Sequence, residues 1–284
     1  MISVSMLCRT LVNITVAAVC VACISGCGSD TDRPPSVLGD LAYTEEKEEL
    51  EYTLFIPEDD TLVPYLVLTD DYNNTGNCLL LRKYILDETS IFNVNTPYSG
   101  YYEYSEIDQM LEQDFLGKLS PDASDLIVPT EIPITAKESL HGGGDSVIEI
   151  ERKVFLLSAT EVGKPGSRTI LTEGEALKYF YNSEQRIACF ETGEPISWWL
   201  RTPSVAHDNV VCGVGNNGTI GIGGVGSFGE KEYENGVRPA FCMPADIPIY
   251  PRDDGYYVLV APGENEILPT VVRQKNYNLI KGES

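Results

Sequence analysis

Basic residues are scarce in this chain: Lys and Arg number 20 against 43 Asp and Glu, a formal net charge of −23 over 284 residues. That imbalance excludes a general electrostatic grip on nucleic acid or on an anionic membrane face, where affinity comes from Lys and Arg displacing counterions. Nucleic acid is therefore not expected as a partner. Histidine is scarcer still, with only His141 and His207, both in polar loop sequence. There is no H-E-x-x-H pair and no G-x-S-x-G elbow, so metalloprotease and α/β-hydrolase chemistries lack their defining parts. Cys78, Cys189, Cys212 and Cys242 show no C-x-x-C spacing, and four cysteines allow three disulfide connectivities. These patterns imply no catalytic residue, no metal site and no cofactor.

One apolar run does stand out. Leu11 to Ile24 is broken only by Asn13 and Thr15, and Arg9 is the only charge before Asp30. The run is too short to span a bilayer and reads as the core of a secretory signal. It ends in Ile24-Ser25-Gly26-Cys27, which resembles the lipobox of bacterial lipoproteins. The resemblance implies a signal peptide over residues 1–26, cleavage before Cys27 and a diacylglycerol on its thiol. Cys27 would then anchor the protein to the extracytoplasmic face of a bacterial cell membrane, two acyl chains holding stably where one would not. Residues 27–51 carry Pro34-Pro35 and a run of Glu from Glu45 to Glu51, and read as a lipid-anchored acidic tether.

From Tyr52 to Pro262 the composition is that of a single globular domain, and residues 263–284 read as a loose tail. Leu62–Thr69 and Cys78–Leu81 suit two strands joined by a polar turn. Asp71, Asn73, Thr75 and Gly76 in that turn mimic a calcium loop, but Arg82 stands where a bidentate Glu is required, so a hairpin turn is expected. Ser105 caps a helix whose apolar positions Ile107, Met110, Leu111, Phe115 and Leu119 recur at helical spacing, and Ser120-Pro121 opens a shorter one through Leu126. Residues 137–149 read as a flexible insertion, and Val154–Leu157 as a strand. Thr172 with Glu175 suggests a capping box for a helix over 173–181. Beyond Trp198 the texture is β-like and glycine-rich to Met243, and Tyr256–Val260 suits an edge strand. Gly213-x-Gly215-x-x-Gly218 and Gly221-x-Gly223-x-x-Gly226 match a dinucleotide pattern, but neither leads into a helix, so that reading is rejected.

Ser197-Trp198-Trp199-Leu200-Arg201-Thr202-Pro203, then Val211 with Asn217-Gly218, then Gly236-Val237-Arg238-Pro239-Ala240, resemble the signature of an uncharacterised bacterial extracytoplasmic family, domain of unknown function 6273. The resemblance covers roughly residues 63–244. By analogy it implies an α+β, C-type-lectin-like fold, with helices preceding a twisted antiparallel β-region whose glycine-rich loops carry the ligand. Such folds are shared with formylglycine-generating enzymes, but here Cys242 lies three residues past the position those enzymes use, which argues against their oxidase chemistry.

The expected function is a non-catalytic surface domain that presents residues 204–234 to a glycan or protein ligand. Trp198 and Trp199, on opposite faces of a strand, are candidate ligand contacts, with core packing of both as the plainer alternative. His207, Asp208, Asn209, Asn216 and Asn217 are the candidate polar contacts. Arg201 and Arg238 lie in apolar strand sequence and suit a buried salt bridge or carbonyl capping. The alternatives are an enzyme on the same scaffold using Cys212 or Cys242, and a structural subunit of the cell envelope.

Overall fold

The first described element is a tight 3₁₀ turn, Leu38–Leu41, whose two leucines are fully buried. A computed structural model describes residues 35–59, 61–225, 233–259 and 270–271. The signal segment and Cys27 lie outside the described residues, as do 226–232 of the expected display region.

Strand β1 (Thr53–Glu58) turns into β2 (Thr61–Thr69), and β2 pairs antiparallel with β3 (Asn77–Arg82). The β2–β3 link is the expected turn, closed where Gly76 N–H donates to Asp71 Oδ1 at 2.7 Å. The helical segment follows in three gauges: α1 (Glu106–Met110), a π-helical turn over Leu111–Phe115, and a 3₁₀ turn over Leu116–Lys118. Ser105 caps it by accepting from Asp108 N–H at 3.3 Å, and Ile107, Leu111 and Phe115 are buried. Helix α2 (Pro121–Ser124) is a single turn with Pro at its start. Strands β4 (Thr130–Thr135) and β5 (Val147–Arg152) make a two-stranded arm, and β6 (Val154–Phe155) continues into the core. Next come β7 (Ala188–Cys189) and β8 (Pro195–Ile196), a short pair. Strands β9 (Trp198–Pro203), β10 (Val210–Val214) and β11 (Ile220–Gly224) form a three-stranded sheet in the order β11-β10-β9. Last are β12 (Ala240–Pro244), β13 (Tyr250–Pro251), β14 (Tyr257–Val258) and β15 (Thr270–Val271).

The main sheet runs β13-β14-β1-β2-β3-β12-β6, with β15 on the start of β2. Its pairings are antiparallel except β1–β14 and β15–β2. The protein is therefore mixed α+β and mostly strand. Helices do not simply precede the β-region, because β1 to β3 come before them and share a sheet with β12.

Four further expectations are corrected. Residues 35–51 are not a tether: Leu38 N–H donates to Ile247 O and Gly39 N–H to Ala245 O, both at 2.8 Å, and Tyr43 packs edge-on against Tyr52 and Tyr179. Two buried leucines and an aromatic outweigh the solvating effect of the Glu run. Residues 137–149 are not a flexible insertion: Ser139 and Leu140 are buried, Gly142 N–H reaches Val205 O at 2.7 Å, and Val147–Glu149 lie in β5. No α-helix forms over 173–181, where only Lys178–Phe180 turns as 3₁₀. Glu173, expected to open that helix, is buried in the core, and Gly174 takes φ +81°, which ends any helical start before Glu175 can cap it. Tyr257–Val258 is not an edge, since β13 lies outside it. Of the expected tail, Thr270–Val271 pairs with β2 and the rest lies outside the described residues.

Candidate functional site

Four of seven residues from Tyr98 to Tyr104 are tyrosines. Bulky residues rarely enter the left-handed region, yet Tyr98 has φ +62° and Tyr104 φ +68°. Strain of this kind persists only where surroundings over-determine it, and it clusters at functional sites. The surroundings here are explicit. Tyr98 N–H donates to Asp208 Oδ2 at 3.2 Å, and Tyr104 N–H donates to Asp108 Oδ2 at 2.9 Å. Asp108 is itself held by two bonds from Arg152, at 2.8 and 2.9 Å. Gly100 N–H donates to Asp208 O at 2.7 Å, an approach so close that a Cβ on Gly100 would stand 3.0 Å from that carbonyl. Below the loop, Phe92 packs between Tyr102 and Trp199, and its N–H is tied to Val225 O at 2.8 Å.

This loop and the start of the Lys137–Gly142 turn line an open surface cleft of about 420 Å³, within the usual size range for small-ligand sites. Asn93, Thr96, Ser99, Glu103 and Lys137 line it together with Tyr98, Tyr101 and Tyr104. Tyr104 is 72% exposed and Tyr98 41%, so both offer ring surface to solvent. Ser99 is buried, and its Oγ finds no hydrogen-bond partner. Lys137 Nζ lies 5.7 Å from the Tyr98 ring centre and 5.9 Å from that of Tyr101. Burial, then the Glu103 carboxylate that accepts from its hydroxyl at 2.6 Å, push the Tyr101 phenol up, with Glu138 adding to the effect.

The sequence-derived candidates divide around this cavity. Trp198 and Trp199 are 0% and 2% exposed, because β9 is covered on both sides. Trp198 Nε1 donates to Arg186 O at 2.9 Å and carries the Arg238 guanidinium at 5.3 Å, while Trp199 Nε1 donates to Ser90 O at 2.7 Å. Asp208 and Asn209 do reach the site loop, Asp208 by the bonds above and Asn209 by Nδ2 to Asn95 Oδ1 at 3.1 Å. His207 is exposed beside them. Asn216 and Asn217 sit at the other end of β10, about 17 Å away at 3.4 Å per residue. There Asn217 Oδ1 takes both N–H and hydroxyl of Thr219, which makes it part of the β10–β11 turn. The tyrosine loop itself went unread, although its tyrosine density is a visible signal.

The buried charges are structural. Arg201 forms an ion pair with Glu161 at 2.7 Å, both side chains fully buried, and also caps Pro133 O and Leu156 O. Burial opposes its charge, but the Glu161 carboxylate outweighs that and holds Arg201 above its ordinary value. Tyr72 donates its hydroxyl to the same carboxylate. Arg238 caps Arg82 O at 2.8 Å. A second charged group, Arg82 with Glu58 at 2.9 Å, holds Tyr65 as well. The four described cysteines are free, and burial pushes Cys78, Cys212 and Cys242 each up to about 12. Among the described residues, no three His, Cys, Asp or Glu side chains converge to hold a metal, and no helix is long and apolar enough to cross a membrane.

The family model for a domain of unknown function, DUF6273, matches residues 75–245, more than half of the chain. The chain belongs to the DUF6273 family. No curated protein and no solved structure matches it. The DUF6273 segment contains the whole tyrosine cavity, the β9–β11 sheet and Arg201 with Glu161, while β1 and the docked residues 35–51 lie outside it.

Proposed function

We propose that this DUF6273 protein is a surface ligand-binding domain that takes a glycan in the tyrosine cavity and is anchored through acylated Cys27. One observation carries the glycan reading: two solvent-exposed tyrosines, Tyr98 and Tyr104, both held at positive φ, flank a cleft lined by Asn93, Thr96, Glu103 and Lys137. Exposed aromatic faces bury the apolar face of a sugar ring, and convergent hydroxyl, amide and carboxylate groups suit its hydroxyls. The C-type-lectin-like arrangement remains part of this reading. It is supported by the helical segment 106–124 preceding the β9–β11 sheet, whose β9–β10 loop, through Asp208, helps build the site.

The rival enzyme reading rests on Cys212 or Cys242. Both thiols are buried and raised to about 12, far from the thiolate character a nucleophile needs. A glycan array read with wild type and Tyr104→Ala tests the binding reading. Retained signal on specific glycans by wild type, lost in the variant, supports it; an array with no wild-type signal overturns it. For the anchor, mass spectrometry of the mature N-terminus is expected to show a lipidated Cys27, and an intact Met1 or an unmodified Cys27 overturns it.

A further inference from the structure

The carboxylates around the tyrosine cleft are already bonded. Glu103, the acid of its lining, accepts from the Tyr101 hydroxyl through Oε2 at 2.6 Å, and its Oε1 lies 3.8 Å from the Arg152 guanidinium. Asp208 accepts from Tyr98 N–H through Oδ2 at 3.2 Å. Asp108 takes Tyr104 N–H and two short bonds from Arg152, which commits that guanidinium as well. Lys137, the cation of the lining, is the exception. It is exposed, and its ammonium makes no hydrogen bond and no ion pair among the described residues. Its place is nonetheless set, 5.7 Å from the Tyr98 ring centre and 5.9 Å from that of Tyr101. Ring quadrupoles hold a cation without consuming its N–H donors, so those donors stay free beside the exposed Tyr98 and Tyr104. Glu138, next in sequence, is exposed and lies outside the lining. A cleft whose acids are bonded and whose lysine is not offers a positive group to whatever enters it.

We infer that the cleft's ligand is an acidic sugar, a neutral glycan carrying one uronic acid whose carboxylate pairs with the Lys137 ammonium. This rests on the glycan reading above and names the class of sugar. A hexuronate brings to the cleft an apolar ring face to stack on tyrosine and an anion fixed to the same ring. The Tyr98 ring, 41% exposed, adjoins the ammonium, so a sugar lying along it carries its substituents toward Nζ. Charge also limits how many anions the ligand bears. Among the described residues Lys137 is the one cation lining the cleft, and a net charge of −23 repels a polymer charged at every unit. Screening confines that repulsion to about 8 Å at physiological salt, so one local ammonium suffices for one carboxylate.

The test is a glycan array printed with matched sets of probes. Each set holds a neutral oligosaccharide ending in one glucuronate or galacturonate, the methyl ester of that uronate, and the corresponding neutral hexose. The ester keeps the shape of the acid and removes its charge. Wild type is expected to prefer the acid over its ester by roughly fivefold, the upper end for an exposed ion pair, and to lose that preference as salt is raised. Lys137→Met is expected to bring the affinity for the acid down to that for the ester, and Lys137→Arg to keep the preference. Tyr104→Ala is expected to weaken acid and ester alike, because it removes a stacking face and not the charge. Lys137 is exposed at the start of its 3₁₀ turn, so its replacement leaves the fold intact, and near-ultraviolet circular dichroism checks this. Equal wild-type affinity for acid and ester, or an acid preference that survives in Lys137→Met, overturns the inference while the glycan reading stands. An array on which wild type binds no probe overturns both.

Discussion

Arg201 and Glu161 illustrate how a fully buried ion pair is made tolerable: the guanidinium also caps Pro133 O and Leu156 O, and the carboxylate also takes Ser158 N–H at 2.7 Å and the Tyr72 hydroxyl. Removing one member strands the other. Arg201→Ala is expected to cost about 3–5 kcal/mol in urea unfolding, and Arg201→Met with Glu161→Leu to recover much of that loss. Glu173, a few ångströms of network away, accepts from Thr135 N–H at 2.6 Å, Thr135 Oγ1 at 2.7 Å and Thr202 Oγ1 at 2.5 Å. Burial still raises its pKa above 4.5, against the lowering effects of Arg201 and these donors. The folded state then holds this proton more tightly than the unfolded chain does. The stability it lends is therefore full below about pH 4.5 and is lost as pH rises through the raised folded value. In urea midpoints measured from pH 4 to 7, Glu173→Gln is expected to remove that component, so its advantage over wild type grows with pH.

At the scale of elements, the segment over residues 35–51 makes the sharpest claim. Its acidic composition suggests solvation, but its attachment depends on Leu38 and Leu41 and on backbone bonds to Ala245 and Ile247. Lys47 is also fixed, donating to Asp40 O at 2.7 Å and Ala42 O at 2.6 Å. Trypsin is expected to cut slowly after Lys47 in the wild type. Leu41→Ala should cost about 2–5 kcal/mol and make that cut early; rapid cleavage in wild type contradicts the docking. What was legible in the sequence was whatever local chemistry decides. The Ser105 cap, the β2–β3 turn, the β10–β11 hairpin and the buried roles of Arg201 and Arg238 were all readable. What escaped depended on partners far away in the chain. The expected helix over 173–181, with its Thr172–Glu175 box, lost because Glu173 found Thr135 and Thr202 and Gly174 turned to positive φ. Between the two readings of the Trp pair, a ligand face or core packing of both, cover on both faces of β9 decides for packing. The tyrosine loop was missed because its strain is set by Asp208 and Asp108, which lie outside it.

The whole molecule is organised by joins between distant parts of the chain. Leu79 faces Cys242, and Leu54 faces Tyr257. Such pairings carry a large loop-closure cost before they return any contact energy, and they slow folding. A chain ending at Val225 therefore lacks β12 and β14 and leaves β3 and β1 with open edges. It is expected to show no cooperative unfolding transition by near-ultraviolet circular dichroism, and a sharp transition in that fragment would contradict this account. The same topology sets a clock. At about 5–20 residues per second, roughly 10–35 s separate the synthesis of β3 from that of β14. During that interval β1 and β3 pair with β2 but leave their outer edges open. For a chain proposed to cross a membrane before it works, this delay serves as a timer: it keeps the early residues threadable until the last ones arrive, so that passage comes before assembly.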